Sequence, residues 1–234
     1  MPGGRRPHRL AGPDDVLRAL GTPVAFLGLL VGFLLALVLQ AYAHAAAARA
    51  LGDRAAFRRL GGVRRVLDPF GAVAAALAGP GWGVTPEMPL RSRGRLAVAL
   101  LAGPAAVALV GVLALLGYLL AGGPRQALPG AGPGTVLRGV EGSAAPVFLF
   151  ALGLELLGMA VLALVPLPPL PGWRLLELAA TGSVGWQRAR EYLVEKNLGV
   201  LALLVLLVLP FGGSSPPLLA IVDTAVGSLL DAAA

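Results

Sequence analysis

Gln40 and His44 are the residues whose types and spacing first suggest chemistry. They lie four positions apart in LVLQAYAHAAAARALGD, residues 37–53, and so share one face of a predicted helix. In the zinc motif H-E-x-x-H, two histidines at this spacing bind the metal, and the glutamate after the first activates a water molecule. Here Gln40 takes the place of the first histidine and Ala41 that of the glutamate, while His44 is retained. The simpler interpretation is a polar residue near a helix end, as a single histidine usually is.

The composition indicates an integral membrane protein. Apolar residues make up 57% of the 234 residues and charged residues 13%, about half the roughly 25% of a soluble domain. The net charge of +7 comes mainly from arginines beside long apolar runs. Basic residues in such places orient a chain in the bilayer, so we expect lipid and not nucleic acid as a partner. Because the sequence contains no cysteine, it excludes disulfides and thiolate metal sites.

The apolar runs predict an all-α membrane protein with about four transmembrane helices. Spans of sufficient length are predicted at 22–48, 96–121 and 146–167, and residues 198–211 begin a fourth span that either continues past GGSSPP or breaks there. The glycine-rich run 70–83 is shorter and predicts a re-entrant segment, while 173–196 predicts an interfacial helix. We expect a single membrane domain over 22–222, between a polar N-terminal tail (1–21) and a C-terminal tail (223–234).

The basic residues predict the orientation of the chain. Segments 49–95 and 168–196 together contain thirteen Lys and Arg residues, whereas segment 122–144 contains two. The first two segments are therefore predicted to be cytoplasmic. The four arginines of the tail would then lie outside, which conflicts with the same rule. A cleaved signal peptide is the alternative for the first apolar run, although that run exceeds the roughly 7–15 residues of a signal core.

Six short segments follow one another along the chain: HAAAARALGD at 44–53, RLG at 59–61, DPFG at 68–71, GWGVTP at 81–86, LAGP at 101–104 and LVPLPPLPGWRLLE at 164–177. In this order they resemble the site-2 proteases, a family of intramembrane zinc metallopeptidases. The first resembles the continuation of the family's H-E-x-x-H motif, and LAGP resembles the opening of its next helix. GWGVTP lacks the lysine of the family's G-W-A-K-P-V. The likeness covers residues 25–210 and implies a site-2-protease-like core in a multi-pass protein of a bacterial cell membrane.

The resemblance also implies that the metal site has been lost. Gln40, His44 and Pro171 stand at the positions of the family's two histidines and its aspartate ligand, and Ala41 stands at the glutamate. Because catalytic zinc normally needs three protein ligands, we predict no zinc, no other cofactor and no catalytic residue. We expect Gln40 and His44 to face Pro171 and to donate hydrogen bonds to carbonyls freed by the prolines at 166–171.

These substitutions predict a non-catalytic protein, a pseudoprotease that binds membrane segments of other proteins or a partner protein. One alternative is an active zinc metallopeptidase with atypical ligands. Another is a small transporter-like protein that uses Glu155, the one acidic residue inside a predicted span. Glu155 lies 16 residues before Pro171, roughly 24 Å along a helix, so we do not expect it to join His44. Its simplest interpretation is a protonated or hydrogen-bonded carboxyl facing another helix.

Overall fold

The computed structural model describes residues 23–180, 182–211 and 215–233, and most of these residues are helical. The helices are α1 (Pro23–Ala50), α2 (Ala56–Leu60), α3 (Pro69–Ala78), α4 (Arg93–Leu120), α5 (Pro133–Leu137), α6 (Ala144–Ala163), α7 (Pro171–Ala179), α8 (Val184–Arg190), α9 (Leu198–Val208) and α10 (Pro217–Ala233). Within those ranges the β structure is limited to a single bridge between Leu67 and Gly83. The all-α class predicted from the sequence is therefore confirmed for the described residues.

Among the described residues, three helices are long and apolar enough to cross a membrane: Pro23–Ala50, Arg93–Leu120 and Ala144–Leu162. The fourth predicted span differs, because α9 contains only 11 residues, about 16 Å of helix. It ends at Val208, and α10 begins at Pro217. The predicted start of the C-terminal tail at 223 falls inside α10, whose Val222 and Val226 are fully buried. The N-terminal tail, 1–21, lies outside the described residues.

The three long helices pack against one another, and α6 lies at the centre, buried along nearly its whole length. Small residues set the spacing. A Cβ at Gly28 of α1 would lie 2.7 Å from the Cβ of Ala151, and one at Gly111 of α4 would lie 3.1 Å from the Cβ of Leu156. Since lipid supplies no hydrophobic driving force between helices, close backbone approach of this kind is what holds membrane helices together.

The chain enters and leaves the segment that contains α3 at the same place, because residues 66–67 pair with residues 83–84. Asp68 caps its start, accepting hydrogen bonds from the backbone N–H groups of Phe70 and Gly71 at 2.8 and 3.1 Å. After α3 the chain returns along the helix and pairs with the residues before it, with the N–H of Val84 donating to the carbonyl of Val66 at 2.8 Å. This hairpin is the geometry required of a re-entrant segment, which was predicted at 70–83.

The glycine- and proline-rich segment 122–144 folds inwards instead of forming a simple surface loop. Its short helix α5 buries Val136 completely and Leu137 to 6% exposure. Pro133 lies against Gly158 of α6, where a Cβ would overlap the proline ring. Asp223 of α10 holds the segment by accepting a hydrogen bond from the N–H of Gly134 at 3.0 Å. Segment 122–144 therefore reaches deep along α6, about 21 Å from the start of that helix.

Asp53 fixes the turn that follows α1, and its contribution should depend on pH. It accepts hydrogen bonds from the Arg59 guanidinium and from the N–H of Ala55, and the bond to Arg59 holds the pKa of Asp53 below its usual value. A carboxylate whose pKa is lowered by folding contributes its full stabilisation above the pKa of the unfolded state, about 4. That stabilisation is lost as the pH falls through the pKa of the folded state. We expect Asp53→Asn to cost about 1 kcal/mol at pH 7, because Arg59 is a third exposed.

The difference between Asp53→Asn and the wild type should shrink when unfolding in detergent micelles is measured at about pH 3, where the wild-type carboxylate is being protonated. The exposed Glu87 supplies a matched control, because Glu87→Gln removes the same charge without touching this turn. A difference for Asp53→Asn that stays constant between the two pH values would contradict the role of the ion pair.

Candidate functional site

Gln40 lies between two small cavities, and the site residues predicted from the sequence line one or the other of them. The first cavity is lined by Gln40, Ala41 and His44 together with residues of the extended segment 81–85 after α3, called the return strand below. The second is lined by Gln40, Ala163 and Pro171. The structure thus places Ala41, His44 and Pro171 around Gln40, although His44 and Pro171 line different cavities. Each cavity has a volume of about 10 Å³, which is room for about one water molecule.

The return strand after α3 covers both cavities. Gly83 lines both of them, Thr85 lines the first and Trp82 lines the second. The N–H of Gly81 lies 3.2 Å from the sulfur of Met159 on α6, which fixes the strand against the helix core. The segment GWGVTP is therefore a wall of the site. The space around Gln40 is narrow, and this wall bounds one side of it.

His44 is held by a backbone carbonyl on α4. Its side chain is 1% exposed, and its Nε2 lies 3.1 Å from the carbonyl oxygen of Leu100. That oxygen is free because Pro104, four residues later within α4, has no N–H to donate to it. Gly103 makes the approach possible, since a Cβ there would lie 2.6 Å from Cδ2 of His44 and 2.7 Å from Cγ of Gln40.

Two sequence-based expectations are corrected here. His44 donates its hydrogen bond to Leu100 and not to a carbonyl of the proline-rich segment 166–171, because Pro104 leaves a free acceptor closer by. The segment LAGP, expected to open a helix, lies inside α4, which begins at Arg93. A proline inside a long apolar run marks a free carbonyl four residues earlier, and this signal could have identified Leu100 from the sequence.

The hydrogen bond to Leu100 fixes the tautomer of His44. A carbonyl oxygen can only accept, so Nε2 carries the proton and Nδ1 has a free lone pair. Nδ1 is buried and has no hydrogen-bond partner in the part of the chain that the structure describes. Histidines that bind metals usually donate their other ring N–H to a backbone carbonyl or a carboxylate. His44 therefore has the hydrogen-bonding arrangement of a metal ligand.

The donor set around His44 does not fit zinc. The Gln40 amide oxygen is a neutral, weak donor, and the side chain of Pro171 offers no donor atom at all. Across the described residues, no three His, Cys, Asp or Glu side chains come close enough together to hold a metal ion. Catalytic zinc normally takes three protein ligands, so one histidine with an amide is insufficient. The absence of zinc stays a prediction, for which a test is given below.

Glu155 belongs to a different region of the molecule. It is fully buried and packs against Gly32 of α1. Gly32 precedes His44 by twelve residues, roughly 18 Å along the helix. Glu155 lines neither of the two cavities around Gln40.

The coupling between His44 and Pro104 can be measured with a double-mutant cycle. His44→Leu leaves the carbonyl of Leu100 without a donor, whereas Pro104→Ala supplies one from the helix itself, which competes with the histidine ring for that oxygen. We therefore expect His44→Leu alone to be destabilised, and the double variant to be more stable than the sum of the two single effects by about 1 kcal/mol. The measurement is the free energy of unfolding of the four proteins in detergent micelles. Strict additivity would show that Leu100 is not the partner of His44.

The chain has no detected relatives among known proteins: no family model, no curated protein and no solved structure matches it.

Proposed function

We propose that this chain is a site-2-protease-like membrane protein that has lost its metal site, a pseudoprotease that binds membrane segments of other proteins or a partner protein without cutting them. One observation carries the proposal. The four positions at which the resemblance puts metal ligands and the catalytic glutamate surround two adjoining cavities, and a single retained histidine has a buried, unpaired Nδ1 among the described residues.

The residues present argue against peptide hydrolysis. Removing a general base alone typically costs 10²–10⁴-fold in rate, and Ala41 at the glutamate position supplies none. A zinc ion would generate the nucleophile and polarise the carbonyl, but Gln40 and Pro171 provide no strong ligand beside His44. The alternative of an active metallopeptidase with atypical ligands would require donors that the described cavities lack.

The immediate partner is the lipid bilayer, and the surface of α1 supports a binding role within it. Apolar side chains of this helix point outwards, with Leu27, Leu30 and Leu34 between 43% and 50% exposed. Because each cavity at Gln40 holds only about one water molecule, a bound membrane segment would lie against such outer faces, or would enter only after the return strand over 81–85 moves aside.

The first test of the proposal is the metal content. We expect the detergent-purified full chain to contain far less than one zinc per molecule, because two of the three ligand positions hold Gln40 and Pro171. Elemental analysis of the wild type and of His44→Ala should give the same background value. About one zinc per chain in the wild type, lost in His44→Ala, would instead establish a metal site with atypical ligands.

A further inference from the structure

Glu155 is a buried acid that the lost metal site does not involve. It lies in the middle of α6, eleven residues after Ala144, or roughly 16 Å along the helix, and its residue exposure is 0%. Neither carboxyl oxygen has a hydrogen-bond partner within the described ranges. In native proteins nearly all buried polar atoms are paired, so a carboxyl group left unpaired at this depth calls for a physical explanation.

The carboxyl group lies between α1 and the turn that ends α3. A Cβ at Gly32 would lie 2.8 Å from Cγ of Glu155, and one at Gly79 would lie 3.5 Å from its Oε2. Gly79 has a φ of 87°, a conformation that only glycine adopts readily. Its turn ends α3, and the last carbonyls of a helix carry a partial negative charge. These carbonyls disfavour a carboxylate nearby and can accept a hydrogen bond from a carboxylic acid.

On the side away from α1, two short segments close this region. Pro80, in the turn after α3, and Pro133, at the start of α5, both lie against Gly158, one turn along α6 from Glu155. Leu137 of α5 also reaches the turn, 3.8 Å from the position that a Cβ at Gly79 would occupy. Because α3 and α5 have only ten and five residues, an opening on this side would separate two short elements and would leave the packing of the long helices in place.

No opposite charge compensates Glu155 among the described neighbouring elements. The cationic residue of α1, Arg49, lies seventeen residues from Gly32, and Arg93 and Arg95 lie at the far start of α4; α3 and α9 contain no charged residue. In segment 122–144 and α10, Arg138 contacts Thr135, Asp223 contacts Gly134 and Asp231 contacts Gly130, while Arg125 and Glu141 are exposed. An ionised carboxylate without a partner is strongly disfavoured in such surroundings.

We propose that Glu155 is an intramembrane proton-binding site. The side chain carries its proton as a carboxylic acid, and it exchanges that proton when the Gly79–Pro80 turn and the Pro133 segment move apart. Glu155 lines neither cavity at Gln40, although Gly81 and Met159 of the second cavity lie close by in the chain, and the proposal stands whether or not the chain is a pseudoprotease.

Infrared difference spectroscopy tests the bound proton. The spectrum of the wild type minus that of Glu155→Gln, recorded on purified full chain at neutral pH, should contain one carboxylic acid C=O band. The other acidic residues are common to both proteins and cancel. Glutamine has the shape of the neutral acid, so the variant should keep the thermal midpoint of the wild type. A difference spectrum containing only carboxylate bands would overturn the proposal.

Carbodiimide labelling of the wild type tests the exchange and does not depend on that variant. A hydrophobic carbodiimide reacts with a protonated carboxyl in apolar surroundings, and mass spectrometry should find it on Glu155 at up to one label per chain, while a water-soluble carbodiimide leaves Glu155 unmodified. Absence of the hydrophobic label from Glu155 would overturn the exchange.

Gly79→Ala strains the turn beside the carboxyl group, and we expect it to raise the labelling rate several-fold. Gly122 is a matched control, since it has the same φ of 87° with no neighbour within 4 Å of a Cβ. Gly122→Ala should leave the labelling rate at the wild-type value. Equal rates in the two variants would show that opening of this turn does not control access to Glu155.

Discussion

Gly103→Ala is expected to lower the free energy of unfolding by about 3 kcal/mol. The new methyl group would overlap the His44 ring and would lie 2.7 Å from Cγ of Gln40. His44 would have to leave the carbonyl of Leu100, which Pro104 has already deprived of a helical donor. Two buried polar groups would then be unpaired, at about 1–3 kcal/mol each, and the overlap adds overpacking. The gain of roughly 1 kcal/mol for replacing glycine by alanine in a helix offsets only part of this cost.

The same helix contains a matched control. At Gly117 of α4 a Cβ would meet only the Leu149 methyl groups at 3.5 and 3.8 Å, which is ordinary contact, so Gly117→Ala should be neutral or slightly stabilising. Shortening the histidine should rescue the first variant, so Gly103→Ala in a His44→Ala background should cost less than about 1 kcal/mol. Equal costs for Gly103→Ala in the two backgrounds, measured in detergent micelles, would contradict the packing of His44 against α4.

Local pattern was sufficient to predict the helical class and the long apolar helices. A run of more than about 20 apolar residues can be satisfied in lipid only as a helix, and the runs beginning near 22, 96 and 146 form α1, α4 and α6. The run from 198 was ambiguous, because GGSSPP follows it. In the structure α9 ends at Val208, and α10 begins only at Pro217.

The inward folding of segment 122–144 could not be predicted from its own residues. Its abundance of glycine and proline indicates a loop, and five helical residues are too few to show a periodicity. The contacts that hold the segment inwards lie elsewhere in the sequence: Pro133 packs against Gly158 of α6, and Gly134 donates a hydrogen bond to Asp223 of α10. Contacts of such long range leave no local signal in one sequence.

The candidate site was predictable only in part, because its local spacing is visible in the sequence and its long-range contacts are not. The spacing of Gln40 and His44 placed both on one helix face, and the structure shows that they line one cavity. The partner of His44 was assigned to the proline-rich segment at 166–171, because prolines free carbonyls. The same argument applied to Pro104, and only the packing of α1 on α4 selects Leu100 among the available acceptors. Distance in three dimensions decided between two equally sound chemical expectations.

His44 has a structural role that does not require a metal. Its ring supplies the donor that α4 lacks at Pro104, and Gly103 provides the space for it. Under the proposed pseudoprotease function, this role explains why a histidine stands at position 44 without a metal. The free Nδ1 is the part of the arrangement that this role does not use, and it is the atom through which His44 would bind a metal.

Restoring the ligands is expected to restore zinc binding. Gln40→His places a second imidazole on the same face of α1, one turn from His44, and Pro171→Asp places a carboxylate at the first residue of α7, where helix geometry favours a negative charge. Gln40 lines both cavities, His44 lines the first and Pro171 lines the second. A zinc ion held at position 40, between the two cavities, would have the new imidazole, the new carboxylate and the Nδ1 of His44 as its three ligands, so the purified double variant should bind about one zinc per chain.

Adding Ala41→Glu to these two substitutions should leave the zinc content unchanged, because the glutamate of the motif is not a ligand. Its effect should instead be on stability. Ala41 is only 2% exposed, and the adjoining cavity of about 10 Å³ is smaller than a glutamate side chain, so we expect a cost of about 1–3 kcal/mol from overpacking. Replacing His44 by alanine in the double variant must abolish zinc binding. If the folded double variant took up no zinc, or kept it without His44, then Gln40, His44 and Pro171 would not mark one former metal site.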